Sequence, residues 1–339
     1  MSQTPAAWLA RLKVAFPRWS IQRVTAGSGT GFTASRGLPG GRSQSLYAPT
    51  LAELEYELGI ATRAGPPGAG ADVGRPHHKE RLARLTLVGE CEMTVLADRV
   101  AVVTGASSGI GAGLAAMLAD EGARVVLAAR RGEELERVAA GIRRAGGVAV
   151  PVVTDLADDE SMARLLTRTA AELGPVDVLV NNAGFGLWKP LDETGIDEWD
   201  HTFAVNVRAA AYLCTAVLPG MQARRFGRVI NIGSEAAVTI VPGLAAYCVS
   251  KHALRALTEV IQDANHDNGI KAWIICPGFV DTEMGQVVPG ANRDNFLLVD
   301  EVVDVVRFLV RLGDNVKIGP EVLVRTMRNP MTSSERRPT

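Results

Sequence analysis

Tyr247-Cys248-Val249-Ser250-Lys251 sets a phenol and an ammonium four residues apart. On a helix that spacing places both on one face, one turn from each other. The chemistry open to such a pair is proton transfer: a carbonyl gaining a hydride needs a proton for its developing alkoxide, and a positioned acid supplies it. A free phenol titrates near pH 10, so working near neutrality takes a shift of about three units, roughly 4 kcal/mol of differential stabilisation of the phenolate. Lys251 is a charge placed to provide it. Ser234 stands thirteen residues upstream, at the end of an apolar run, where its hydroxyl can bind the same substrate oxygen. A Tyr-x-x-x-Lys spacing also occurs on ordinary helix surfaces and a serine can cap a strand end, so the order of features along the chain has to decide.

A second feature is Thr104-Gly105-Ala106-Ser107-Ser108-Gly109-Ile110-Gly111, which follows a short apolar run and opens a helical stretch. Glycines permit a tight turn and a close backbone approach, and a helix N-terminus offers free N–H groups and positive dipole to a phosphate. The stretch from Gly105 through Ser107, Ser108, Gly109 and Ile110 to Gly111 is therefore a candidate pyrophosphate cradle. Its spacing, G-x-x-x-G-x-G, departs from the common dinucleotide fingerprint G-x-G-x-x-G.

These residues need a frame, and from Arg99 onward apolar runs alternate with amphipathic stretches, the signature of repeated βαβ units. Strands are predicted at 100–104, 124–129, 148–154, 176–181, 228–234, 271–276 and 322–325, with helices in each interval. Seven strands fit an α/β, doubly wound, parallel Rossmann-type sheet, whose ligands sit at the strands' C-terminal ends.

Further motifs fall at those ends in order: Asp155 after the third strand, Asn181-Asn182-Ala183-Gly184 after the fourth and Pro277-Gly278 after the sixth. Together with the glycine turn and Tyr-x-x-x-Lys, this pattern resembles the short-chain dehydrogenase/reductase family over about residues 97–330. The resemblance implies hydride transfer between a nicotinamide cofactor and a carbonyl or alcohol, with Tyr247 as the general acid/base. It implies that Lys251 also holds the nicotinamide ribose, and that Asn206, in Phe203-Ala204-Val205-Asn206-Val207, completes a tetrad by holding a water that passes protons to Lys251. Asp155 with Leu156 would meet the adenine, and Asn182, Ala183 and Gly184 would line the cofactor. In Pro277-Gly278-Phe279-Val280-Asp281-Thr282, a backbone group of Val280 and the Thr282 hydroxyl would fix the carboxamide, although Thr282 can equally cap the next turn.

At the end of the second strand, where an acidic side chain would accept from an adenosine ribose, stands Ala129, followed by Arg130 and Arg131. Guanidinium groups suit a 2′-phosphate through charge-assisted hydrogen bonds, so NADP(H) is expected rather than NAD(H). Residues 185–188, 235–246 and 283–296 are the expected substrate-facing segments. Trp188, Val238, Ile240, Val241, Met284, Val287 and Val288 there favour a hydrophobic ketone or secondary alcohol. The resemblance also implies a homodimer or homotetramer paired through helices near 199–222 and 247–265.

Residues 1–92 hold eleven Lys/Arg against seven Asp/Glu, and the remainder 25 against 30, too slight an asymmetry for a dedicated nucleic-acid binder. Residues 1–61 are expected to form a small αββα-like unit, with a hairpin through residues 27–31 and helical spacing at 51–58. Residues 62–92, with Gly65-Pro66-Pro67-Gly68, lack periodicity and read as a linker. Met93 begins a natural enzyme unit, 93–331, followed by a flexible tail at 332–339. Four cysteines and five histidines form no metal-like cluster, so free thiols and no metal are expected. No unbroken apolar run of eighteen residues occurs, so the chain is expected to be soluble and cytoplasmic, with no membrane or nucleic-acid partner. Two alternatives stay open: a nucleotide-sensing regulator without turnover, and an adaptor acting through residues 1–61.

Overall fold

The computed structural model describes residues 12–13, 16–17, 20–26, 29–37, 43–48, 95–285, 290–313, 315–327 and 330–331. The chain divides into two compact units, Met1–Gly89 and Glu90–Thr339. In the first, β1 (Ser20–Ala26), β2 (Gly29–Gly37) and β3 (Ser43–Ala48) form an antiparallel sheet in that order. The first two pair from Ser20↔Ser35 to Ala26↔Gly29. The pairing closes next to the predicted hairpin glycines, and residues 27–28 lie outside the described residues. The third strand is an addition to the expected αββα pattern: Ser43-Gln44-Ser45 carries no apolar alternation, and its pairing with β2 defines it. The helix predicted at 51–58, the linker at 62–92 and the tail at 332–339 lie outside the described residues.

In the second unit, β4 (Val100–Thr104), β5 (Arg124–Ala129), β6 (Val148–Val153), β7 (Val178–Asn181), β8 (Gly227–Ile232), β9 (Ile270–Pro277) and β10 (Glu321–Val324) build one sheet. Its order is β10-β9-β8-β7-β4-β5-β6 and every adjacent pair is parallel. Every residue of β4, β7, β8 and β9 is buried, as a sheet covered on both faces requires, whereas the edge strand β6 exposes Val148 and Val153.

The connecting helices are α1 (Gly109–Asp120), α2 (Gly132–Arg144), α3 (Asp159–Glu172), α4 (Ile196–Phe203), α5 (Ala209–Arg224), α6 (Ala245–Asn265) and α7 (Val299–Val310). One core layer packs Leu114, Leu118, Leu135, Val306 and Leu309 from α1, α2 and α7 on the sheet. The other packs Met162, Leu165, Leu213, Val217 and Ile261 from α3, α5 and α6 on the opposite face. Each such buried side chain contributes about 1.5–3 kcal/mol by leaving water. Because β4 neighbours both β5 and β7, the chain order reverses there, and a cleft opens at the strand C-termini.

Helix α4, a π-helical segment at Ala204–Arg208 and α5 run on as one helix, Ile196–Arg224. By length and average composition it is apolar enough to cross a membrane, although no unbroken apolar run of eighteen residues marks it in the sequence. Core helices pass the same test, and this one buries Ala209, Leu213, Cys214 and Met221 within the unit.

Candidate active site

The turn after β4 is built on its glycines. Gly105 and Gly109 have φ of +63° and +53°, a region that strains any residue with a Cβ. A Cβ on Gly111 would stand 2.2 Å from the Gly105 carbonyl oxygen and 2.5 Å from Asn182 Nδ2. Asn182 Nδ2 donates to the Thr104 and Gly105 carbonyls at 2.9 and 3.2 Å. In return the buried Thr104 hydroxyl accepts from the Asn182 and Ala183 N–H groups at 3.0 and 3.1 Å. The loops after β4 and β7 are thus locked together. Sequence motifs singled out Asn182 for the cofactor and missed the locking role of Thr104, whose one signal is its place before the first glycine.

Arg131, at the N-terminus of α2, reaches back to this turn. Its guanidinium donates to Ser107 Oγ at 3.1 Å and Ser108 Oγ at 2.7 Å, and pairs with Glu283 at 3.1 Å. Ser108 precedes α1 without its side chain capping the helix, and its hydroxyl serves the arginine instead. Ala129 and Arg130 line the same end of the cleft. Asp155 and Leu156 line it too, the Asp155 carboxylate accepting from the Ala157 N–H at 2.9 Å.

At the other end, the start of α6 and the end of β8 meet. Tyr247 and Ser234 share a hydrogen bond, and Ser234 Oγ also accepts from the Ala236 N–H at 3.1 Å. The Tyr247 ring lies against Gly186, where a Cβ would stand 2.6 Å from ring carbon Cδ2. Lys251 is 2% exposed; its Nζ donates to the Ile232 carbonyl at 2.8 Å and stands 5.5 Å from the Tyr247 ring centroid. Burial lowers the Lys251 pKa to about 8.

The expected downward shift of Tyr247 does not occur in the chain alone. Burial pushes the phenol up to about 12, against the opposing pull of its hydrogen bond with Ser234. The reason is desolvation: removing water penalises the phenolate more than nearby groups repay. Cys276, just behind, is likewise raised by burial to about 11, and Cys214, Cys248 and Cys276 are all buried free thiols.

Asn206 sits in the π-helical segment, 2% exposed. Both ends of its side chain are engaged. Oδ1 accepts from the Phe185 N–H at 2.7 Å, and Nδ2 donates to the Phe185 carbonyl at 2.8 Å and Ser250 Oγ at 2.9 Å. Ser250 in turn donates to the Tyr247 carbonyl at 2.7 Å. Asn206 therefore connects the loop after β7 to the first turn of α6. Widened π turns of this kind are frequent at functional sites. Behind them Asn181 Nδ2 donates to Asn231 Oδ1, and Asn231 Nδ2 to Thr258 Oγ1, both at 2.8 Å.

One cavity of about 590 Å³ joins the two ends. Gly105, Ser107, Ser108, Gly109, Ile110, Asn182, Ala183, Gly184, Ser234, Tyr247 and Lys251 line it, as do Pro277, Gly278, Val280 and Thr282. Gly111 and Asn206 stand behind its surface. The Thr282 hydroxyl accepts from the Gly285 N–H at 3.2 Å, a turn-capping contact, and the residue still faces the cavity. Of the predicted substrate-facing residues, Trp188 and Met284 line the cavity while Val238, Ile240 and Val241 do not. These three belong to the stretch after β8, which turns Ile240 outward at 68% exposure. Val287 and Val288 lie outside the described residues. Sequence reading missed His201 on α4 and Val205 on the π-helical segment, because helix periodicity alone does not say which face meets the cleft.

Residues 99–292 match the family model described as short chain dehydrogenase. An uncharacterized oxidoreductase of Staphylococcus aureus strain USA300 is 33% identical over 233 residues, covering 69% of this chain and 99% of that protein. A metagenomic short-chain oxidoreductase solved in complex with NADP is 37% identical with a TM-score of 0.61, over 69% of this chain and 100% of that one. An alcohol dehydrogenase from the archaeon Thermococcus sibiricus, complexed with 5-hydroxy-NADP, is 30% identical with a TM-score of 0.63, over 70% and 99%. On the family match over residues 99–292 and the likeness to these relatives along nearly their whole lengths, the chain belongs to the short-chain dehydrogenase/reductase family.

Proposed function

We propose that the Glu90–Thr339 unit interconverts a hydrophobic ketone or aldehyde and its alcohol with NADP(H). The observation that carries this reading is the single cavity with a phosphate cradle and Arg131 at one end and Ser234, Tyr247 and Lys251 at the other. The residues fit a dinucleotide: the cradle is kept open at Gly105, Gly109 and Gly111, where side chains would fill it. When bound, the cofactor supplies the hydride. Gly105, Ser107, Ser108, Gly109 and Ile110 would hold its pyrophosphate, Asp155 and Leu156 its adenine, Lys251 its nicotinamide ribose, and Val280 and Thr282 its carboxamide.

Tyr247 holds the proton given to the alkoxide oxygen as reduction proceeds, and takes it back in alcohol oxidation. Ser234 binds that oxygen and keeps the phenol in line. Lys251, held on the Ile232 carbonyl, brings positive charge to the phenol's side. Asn206 acts through Phe185 and Ser250, fixing the two segments between which the substrate lies.

A pH profile tests the acid/base roles. A phenol raised to about 12 stays protonated through neutrality, and Lys251 is charged below about 8. Carbonyl reduction is therefore expected to hold a plateau up to about pH 8 and to fall as Lys251 loses its proton. Alcohol oxidation, which needs the phenolate, is expected to rise up to about pH 8 and to level off above it, where loss of the Lys251 charge offsets the gain in phenolate. Measured kcat/KM in both directions from about pH 6 to 10 checks this, and a reduction rate that climbs above pH 8 contradicts it.

The 2′-phosphate is assigned to Arg131 and Arg130. Arg131 is pre-positioned by Ser107 and Ser108, and its partner Glu283 is 70% exposed and free to swing aside. Arg131→Ala is expected to weaken adenosine 2′,5′-bisphosphate binding about 10- to 100-fold, the weight of one or two charge-assisted hydrogen bonds. Binding of 5′-AMP should change far less, and Glu283→Gln should tighten the bisphosphate by removing a competing carboxylate. Equal losses for both nucleotides in calorimetric titration would sink the assignment.

Unpaired buried thiols support a reducing, cytoplasmic setting. Val249 and Val260, exposed on α6, support self-association through that helix.

A further inference from the structure

The wall of the cavity beyond the Tyr247 ring is formed by Phe185, Trp188, Val205, Leu244 and Met284, with His201 among them. These neighbours are apolar apart from the indole N–H of Trp188. His201 is the one ionisable side chain on this wall. The other charged lining groups are accounted for elsewhere: Glu283 pairs with Arg131, Asp155 caps its own turn, Arg130 follows β5, and Lys251 is held on Ile232. Among the described residues the His201 ring nitrogens have no hydrogen-bond partner. His252 and His266, by contrast, each place a ring nitrogen 2.9 Å from a backbone carbonyl of their own helical turn.

The His201 ring is nevertheless fixed. It stands edge-on to Phe185, with centroids 4.7 Å apart and planes at 77°. Phe185 is itself held at both its N–H and its carbonyl by Asn206. The next residue, Gly186, is the one against which the Tyr247 ring packs. Tyr247, Gly186, Phe185 and His201 thus form one continuous wall, with the proton donor at one end and an unpaired imidazole at the other. A partly exposed imidazole can meet water in the open cleft, and a ligand body that displaces this water leaves it unsatisfied unless a ligand oxygen takes the water's place.

Resting on the reductase reading above, we infer that His201 is a specificity-determining residue: it hydrogen-bonds a second oxygen function of the substrate, a carboxylate or ester a few bonds from the reacting carbonyl. The preferred substrates are then oxo acids or oxo esters with an apolar body, rather than plain alkanones. Such selection by one directed hydrogen bond in an apolar site is the usual way such pockets discriminate.

The test uses the full chain with NADPH and two matched pairs of similar size: ethyl acetoacetate against 2-octanone, and ethyl 4-oxopentanoate against 2-nonanone. Intrinsic reactivity differs within each pair but cancels when variants are compared. In His201→Phe, which keeps the edge contact with Phe185, the oxo-ester to alkanone ratio of kcat/KM is expected to fall about tenfold for at least one pair, the loss of one hydrogen bond. His201→Gln, which restores a donor, should recover part of the ratio. A ratio unchanged in His201→Phe, or recovered no better by Gln than by Phe, overturns the inference while leaving the reductase standing.

A second measurement does not need turnover. Quenching of tryptophan emission by ethyl acetoacetate, titrated into the NADP-bound protein, should show weaker binding in His201→Phe than in wild type. If neither pair is reduced by wild type, the reductase reading fails. The titration then judges His201 separately, and binding insensitive to the substitution overturns its role.

Discussion

Tyr247→Phe is expected to lower carbonyl reduction by about a thousandfold, the middle of the range for removal of a positioned general acid. The substitution deletes one oxygen and little else. The ring keeps its place against Gly186, and the helix-spanning bonds of Ser250 and Asn206 run to the backbone at 247 and 185, not to the phenol. Burial has already raised the phenol to about 12, so its hydroxyl is a neutral donor in the folded chain, and its loss leaves no stranded charge. Thermal stability should change by no more than about 1 kcal/mol, the worth of the hydrogen bond to Ser234. Nucleotide affinity should persist, because the Gly105–Gly111 cradle and Arg131 are untouched. Rates over a ketone panel, a calorimetric melt and a nucleotide titration separate these outcomes. Full turnover by the phenylalanine variant with every carbonyl accepted by wild type would remove Tyr247 from the chemistry.

The second large effect is Gly111→Ala. The added methyl would stand 2.2 Å from the Gly105 carbonyl oxygen, 2.5 Å from Asn182 Nδ2 and 2.8 Å from the Gly105 carbonyl carbon. None of these is the free end of a flexible side chain. Gly105 is backbone already committed to φ of +63°, and Asn182 is pinned by its two bonds to the Thr104 and Gly105 carbonyls. Relief requires the first turn of α1 to move away from the loops after β4 and β7, opening the cradle. We expect about 1–3 kcal/mol of destabilisation and a nucleotide affinity reduced about a hundredfold or more, with the Tyr247 end chemically intact. Gly141→Ala is the control. Nothing lies within 4 Å of its Cβ position in the last turn of α2, so the same change there should be neutral or slightly stabilising. If Gly111→Ala bound nucleotide as wild type does, the close approach of α1 to Gly105 would not be what shapes the cradle.

Much of the fold is legible in the sequence. The seven strands appear where apolar runs predict them, with ends that shift by at most two residues, because a sheet covered on both faces forces nearly continuous Val, Ile and Leu and so writes itself plainly into the chain. The β1–β2 hairpin was legible from its glycines, whereas β3 was not, since its identity comes from pairing with β2. The wall beyond Tyr247 was only partly visible. Trp188 and Met284 face the cavity as expected, but Val238, Ile240 and Val241 do not, and His201 does. Which face of a helix or loop meets a cleft depends on packing against other elements.

The electrostatics show the same division. Residue types and spacing determined that a phenol, an ammonium and a serine converge, since the helix turn and the parallel sheet leave few other placements. Tertiary structure alone decided the sign of the Tyr247 shift. A neighbouring lysine argues for a lower pKa, yet the desolvation of a half-buried phenol depends on everything packed around it, and here it wins. It also decided that Asn206 spends its side chain holding Phe185 and Ser250, and that Glu283, 152 residues along the chain, pairs with Arg131. The sequence by itself determined the fold, the order of its motifs and the class of chemistry, because those rest on local periodicity and on residue type. Distances between side chains remote in sequence, and the water excluded between them, exist only once the chain has closed on itself.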